Sequence, residues 1–96
     1  MDDVGNFEWD NNRVARNYTK HGVSFEEATD VFDDPFAIGE LDDRGAYGEE
    51  RFVLIGMAGN KLLYVIYTER GERIRIISAR KATKHERDNY YRQKAT

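Results

Sequence analysis

Phe7 and Trp9 alternate with Asn6 and Glu8 near the start of the chain, the two-residue period of a short half-buried strand, and Asp10 follows as a helix N-cap. A helix is expected from about Asn11 to His21. Val14, Tyr18 and His21 recur at helical spacing on one face, and Gly22 stands where a left-handed terminating residue is wanted. Ser24 and Glu27 have the spacing of a capping box, in which hydroxyl and carboxylate each satisfy an otherwise orphaned backbone amide. This predicts a second helix from Phe25 to about Phe32. It buries Phe25, Ala28 and Val31 or Phe32, and Asp33-Asp34-Pro35 stops it.

From Phe36 onward the pattern changes to strands. A weak one is expected at Phe36–Leu41, followed by an acidic, glycine-bearing loop through Asp42–Glu49 that is expected to be mobile. Arg51–Met57 and Leu62–Thr68 are strongly β-prone, and Ala58-Gly59-Asn60-Lys61 between them reads as a hairpin. Glu69-Arg70-Gly71-Glu72 turns the chain again into Arg73–Ala79. Such a meander gives an antiparallel sheet in an α+β domain, residues 1–96 forming one unit. The middle run, LLYVIYT, is apolar on both faces, so both faces of the sheet need cover. The consecutive pair Ile76-Ile77 breaks the alternation of its strand. A β-bulge there would re-aim Ser78 and Arg80, and bulges often sit beside functional sites. A last helix is expected from Thr83, its cap paired with Glu86, to about Lys94.

Charge changes the picture more than composition does. Residues 1–50 carry fourteen Asp and Glu against four Lys and Arg, whereas residues 51–96 carry four against eleven. The total of −3 therefore hides a dipolar chain. A basic second half points to a polyanion as partner, with an RNA backbone the obvious candidate; the acidic half would recruit a basic protein or shield the basic one. With no Cys there are no disulfides or thiolate metal sites, and no apolar run approaches the ~20 residues that span a bilayer. The acidic start MDDVGNFEWD has no secretory pattern. A cytoplasmic protein without membrane contact is expected, and the acceptor-like Asn17-Tyr18-Thr19 is taken as chance.

In the strand ERIRIISAR, Arg73 and Arg75 alternate with Ile74 and Ile76, so both guanidiniums project from one face. Arginine suits phosphate because its planar fork donates two parallel hydrogen bonds and keeps its charge when partly desolvated. The structural alternative is a set of cross-strand ion pairs with Glu49, Glu50 or Glu69. Lys20-His21-Gly22 places a cation and an imidazole at a helix C-terminus, where the dipole favours positive charge; His21 serves there either in proton transfer or in capping and packing. His85, among Lys84, Glu86 and Arg87, reads as a surface residue. Two isolated histidines predict no metal site, and no cofactor motif is present. Tyr47, Tyr67, Tyr90 and Tyr91 interleave with basic residues and are candidates for stacking unpaired bases, one of the last two anchoring the C-terminal helix; Tyr64 reads as core.

The segments FEWD at 7–10, KHGVSFEEA at 20–28, VFDDP at 31–35, ERF at 50–52, YTERGERIRIISARKAT at 67–83 and ER at 86–87 together resemble the BrnT toxins of bacterial type II toxin–antitoxin modules. The resemblance spans nearly the whole chain in the family's order. It implies a fold similar to RelE-type ribonucleases, with two N-terminal helices packed on an antiparallel sheet and a C-terminal helix. It also implies RNA cleavage without metal, neutralisation by a BrnA-like antitoxin, and DNA contact only through the antitoxin complex, which represses its own operon. On that reading Lys20, His21, Glu69, Arg70 and Arg80 are the candidate catalytic residues, and Arg73, Arg75, Tyr67, Lys81 and Lys84 the candidate RNA-binding ones. If Lys20 and His21 lie across the sheet from the arginines, the base moves to Glu50 or Glu69. Two other functions compete: a non-catalytic RNA- or ribosome-binding module, and a protein-interaction subunit whose basic face receives an acidic partner.

Overall fold

The computed structural model describes residues 6–42 and 48–96. The elements run β1 (Phe7–Glu8), α1 (Asn11–His21), α2 (Phe25–Ala28), a 3-10 turn (Thr29–Asp33), β2 (Ile38–Asp42), β3 (Arg51–Ala58), β4 (Lys61–Arg70), β5 (Arg73–Lys81) and α3 (Lys84–Lys94). Five strands form one sheet in the order β1-β5-β4-β3-β2. Both hairpins turn over two residues: Ala58 pairs Lys61 around Gly59-Asn60, and Arg70 pairs Arg73 around Gly71-Glu72. Gly59 and Gly71 take positive φ of 63° and 62°, the conformation that tight hairpin turns demand.

The sheet is mixed, not antiparallel throughout. β1 runs parallel to β5, with Phe7 opposite Ile74 and Glu8 opposite Arg75. A parallel pair needs a crossover, and here almost the whole chain supplies it. The second helix is also shorter than its pattern. It holds helical form only over Phe25–Ala28, and the Thr29 hydroxyl then donates to the Glu26 carbonyl at 2.7 Å. That competing bond accompanies a tightening into 3-10 geometry through Asp33.

The two-faced apolar pattern of β4 is satisfied by two separate cores. Leu63 and Val65 join Val23, Phe25, Ala28, Val31, Ile76 and Ala79 beneath α1 and α2. Leu62 and Tyr64 join Val53, Ile55, Ala82 and Tyr90 on the other face, beneath α3. Tyr90, 1% exposed, is the anchor of α3, while Tyr91 stays open. The inward face of α1 corrects the helical-spacing expectation: Tyr18 is 59% exposed and the buried position is Asn17. Tyr47 and the larger part of the acidic loop, 43–47, lie outside the described residues.

Asp34 joins the two faces around the β3 edge. β2 begins opposite Ile55, so the Met57 amide has no strand partner on that side, and it donates to Asp34 Oδ2 at 2.8 Å. The Tyr90 hydroxyl donates to the same oxygen at 2.6 Å from the far face, and the Phe36 amide to Oδ1 at 2.9 Å. Against the desolvation that burial imposes, these bonds hold the Asp34 carboxyl below its ordinary range, and burial together with Asp34 pushes the Tyr90 phenol up. Among the described residues no helix is long and apolar enough to cross a membrane.

Candidate functional site

Beyond Ile74 and Arg75 the outer edge of β5 has no strand partner among the described residues, and α1 lies along it. Asn17 takes the place of the missing strand. Its Nδ2 donates to the Ala79 carbonyl at 2.8 Å and its Oδ1 accepts from the Ala79 amide at 3.2 Å, the pairing a neighbouring backbone would give. A second donation, to the Val23 carbonyl at 3.0 Å, fixes the chain just past the helix end. Gly22 turns that end with a φ of 69°, its amide bonding to Tyr18.

The β-bulge expected from Ile76-Ile77 is present. Ile66 pairs Ser78 while Tyr67 pairs Ile76, leaving Ile77 as the extra residue. Ser78 is thereby aimed at α1, its hydroxyl donating to Asn17 Oδ1 at 3.4 Å. Ile77, Ser78 and Asn17 floor a groove of about 380 Å³, walled by Arg13, Arg16, Lys20 and His21 from α1. Positions 13, 16 and 20 share one helix face, and His21 is half-buried at its end. Among the described residues none of these four side chains has an acidic partner.

The arginines of β5 are arranged otherwise. Arg73 Nε donates to Glu8 Oε1 at 2.9 Å and Arg75 Nη1 to Oε2 at 2.8 Å, so one carboxylate is shared between two guanidiniums. Hydrogen bonds from Arg75 and then Arg73 hold the Glu8 carboxyl below its usual range. Among the described residues the acid that holds both is Glu8 from the parallel strand, not Glu49, Glu50 or Glu69. The Arg80 guanidinium lies over the Tyr64 ring, 3.8 Å from its centroid, and forks onto Glu86 at 2.8 and 2.9 Å. Glu86 also completes the capping box with Thr83, and its carboxyl is held low, by Arg80 first.

The remaining candidates are scattered. Arg70 meets Glu49 at 3.3 Å, and Glu69 is exposed beside Tyr67. The Tyr67 ring is half-buried, 5.0 Å from Phe32 and 5.5 Å from Phe52, in an aromatic row that Phe7 extends. Tyr67 thus occupies a packed place where the sequence left it open for stacking. Burial, with Glu69 nearby, pushes its phenol up. Lys84 pairs with Asp88, and His85 is exposed.

The structure brings Lys20 and His21 together with Ser78 in one groove, whose lining does not include Arg73, Arg75 or Arg80. Arg13 and Arg16 were missed by reading the second half as the basic one. Their signal was present: three of the first half's four cations fall at 13, 16 and 20, on one side of a helix whose cap and stop are both legible. A groove with this composition can bind a phosphate and exchange protons with groups attached to it. Among the described residues no group of three or more His, Asp or Glu side chains converges so as to hold a metal ion.

Residues 9–86 match a protein family described as the ribonuclease toxin, BrnT, of type II toxin–antitoxin systems. No curated protein matches the chain.

Proposed function

Because the chain belongs to the BrnT family of type II toxin–antitoxin ribonuclease toxins, we propose that it cuts RNA without metal at the groove between α1 and β5. The observation that carries this reading is the one contrast in the charge arrangement. Arg13, Arg16, Lys20 and His21 converge with no acidic partner among the described residues, whereas Arg73, Arg75, Arg80 and Arg70 are engaged with Glu8, Glu86 and Glu49. An incoming phosphate need not displace a carboxylate at the first set. It must do so at the second.

Cleavage then proceeds by attack of the ribose 2′-oxygen on the adjacent phosphorus. His21 takes the 2′-hydroxyl proton as the new P–O bond forms, and Lys20 donates a proton to the 5′-oxygen as the old bond breaks. The products are a cyclic phosphate and a 5′-hydroxyl. Arg13 and Arg16 bind the phosphate oxygens and stabilise the added charge of the phosphorane. Lys20 and His21 keep the roles the sequence suggested, and Arg13 and Arg16 take the one given to the β5 arginines. The move of the base to Glu50 or Glu69 is not favoured. Glu69 pairs across the strands with Ile74 and so faces the opposite side of the sheet from Arg73 and Arg75, and Glu50 is an exposed residue whose backbone carbonyl accepts from Thr68. A BrnA-like antitoxin would neutralise the toxin in the cytoplasm and supply the DNA contact through which the complex represses its operon.

The test is cleavage of a long single-stranded RNA with excess chelator. Wild-type protein should leave cyclic phosphate ends, and His21→Ala and Arg16→Ala, each with an unchanged circular dichroism spectrum, should lose roughly 10²–10³-fold in rate. Full activity in His21→Ala would remove the proposed base. Intact RNA with salt-sensitive binding would instead mark a non-catalytic binding module.

A further inference from the structure

On the far face of the sheet, between the β3–β4 hairpin and α3, a second concavity of about 280 Å³ is floored by Met57 and Leu62 and walled by Tyr91, with Asn60, Lys81 and Arg87 at its rim. Tyr91 is 47% exposed although it sits against this floor, its hydroxyl 4.0 Å from the Met57 sulfur. The third rim cation, Lys61, is engaged with Glu27 at 2.9 Å. Lys81 and Arg87 have no acidic partner among the described residues.

We propose that this concavity is a nucleobase subsite, holding an unpaired base of single-stranded RNA that neighbours the phosphate bound in the α1 groove. The inference rests on the ribonuclease reading above and adds a determinant of where the RNA is cut. An aromatic ring over an apolar floor is the platform on which unpaired bases stack, and flanking cations take the phosphates on either side. The Asn60 carboxamide brings both a donor and an acceptor to the rim, which is what reading a base edge requires. Continuity comes from β5: Lys81 follows Ser78 by three residues, roughly 10 Å at the strand rise, so one strand carries a contact to each concavity. An acidic peptide would satisfy the two cations. It would leave the ring and the amide without a purpose.

Equilibrium binding distinguishes these cases and keeps the inference separate from catalysis. Fluorescently labelled single-stranded RNA oligonucleotides of differing base content would be titrated into slow-cleaving His21→Ala protein, alone and combined with Tyr91→Ala or Asn60→Ala. Tyr91→Ala should weaken binding roughly five- to hundredfold, and Asn60→Ala should narrow the difference between oligonucleotides of different base. Both should keep the parent's circular dichroism spectrum. RNA affinity unchanged by Tyr91→Ala overturns the subsite, and so does a Tyr91→Ala protein that keeps RNA but loses its antitoxin, which would make the concavity a protein-docking site. RNA bound through Tyr91 yet never cut by wild-type protein would overturn the ribonuclease reading and leave the subsite standing.

Discussion

Asn17 is the residue on which the candidate site depends without itself reacting. Its amide satisfies the Ala79 amide and carbonyl and the Val23 carbonyl, all buried, and so holds α1, the turn after it and the bulged strand in one geometry. Asn17→Ala leaves those groups unpaired in a space too small for their full hydration. We expect a loss of about 2–3 kcal/mol in urea denaturation, with RNA cleavage falling further than stability accounts for, because Ser78 and the α1 cations lose their common reference. At this scale the sequence was legible where the reason was local. The pair Ile76-Ile77 breaks the alternation of its strand, so the bulge that aims Ser78 could be read directly, and Gly22 marked the helix end that places His21. The partner of Arg73 and Arg75 could not be read, because a parallel pairing across 67 residues leaves no local mark. Nor could the packing of Tyr67, since its neighbours Phe32 and Phe52 come from two other elements.

At the scale of elements, caps and turns carried most of the legible information. Asp10 accepts from the Asn12 amide, and both Ser24–Glu27 and Thr83–Glu86 form complete capping boxes, so three helix starts fall where the side chains require them. The extent of α2 was not legible, because nothing in its apolar spacing separates an α-turn from the tighter 3-10 turn that Thr29 favours. The packing of that turn on β3 yields a prediction. A Cβ added at Gly56 would lie 3.0 Å from both Ala37 Cβ and Val31 Cγ1 and 3.1 Å from Asp34 Oδ2, all on the segment that closes the sheet edge. None of these is the free end of a flexible chain. Gly56→Ala should therefore destabilise by about 1–3 kcal/mol through overpacking, visible as a lower thermal midpoint, with little change in RNA affinity measured well below that midpoint.

For the whole molecule, the charge split read from the sequence becomes a way of joining its two halves. Glu8 binds Arg73 and Arg75, Glu27 binds Lys61, and Asp34 accepts from Met57 and Tyr90, so acids of the first half are tied to the second. The carboxyls of Glu8, Glu27 and Asp34, with that of Glu86, are held below their ordinary values of 4.5 or 3.8. A carboxyl depressed by folding contributes stability that is complete above its unfolded value and is lost as pH falls through its folded value. Acid unfolding should accordingly begin below about pH 4.5. Tyr90→Phe removes one bond that keeps Asp34 ionised, lets its carboxyl rise towards 3.8, and should move the acid midpoint to higher pH when followed by tryptophan fluorescence. The same long-range joining shapes how the fold is reached. The hairpins of β3, β4 and β5 close over two residues each and can form early, while β1 offers, among the described residues, two to a strand 67 positions away. The entropy of closing so large a loop is recovered only by contacts made after the rest is in place. β1 is thus expected to dock last and leave first, and a chain that loses it for a moment parts both guanidiniums from the one carboxylate they share.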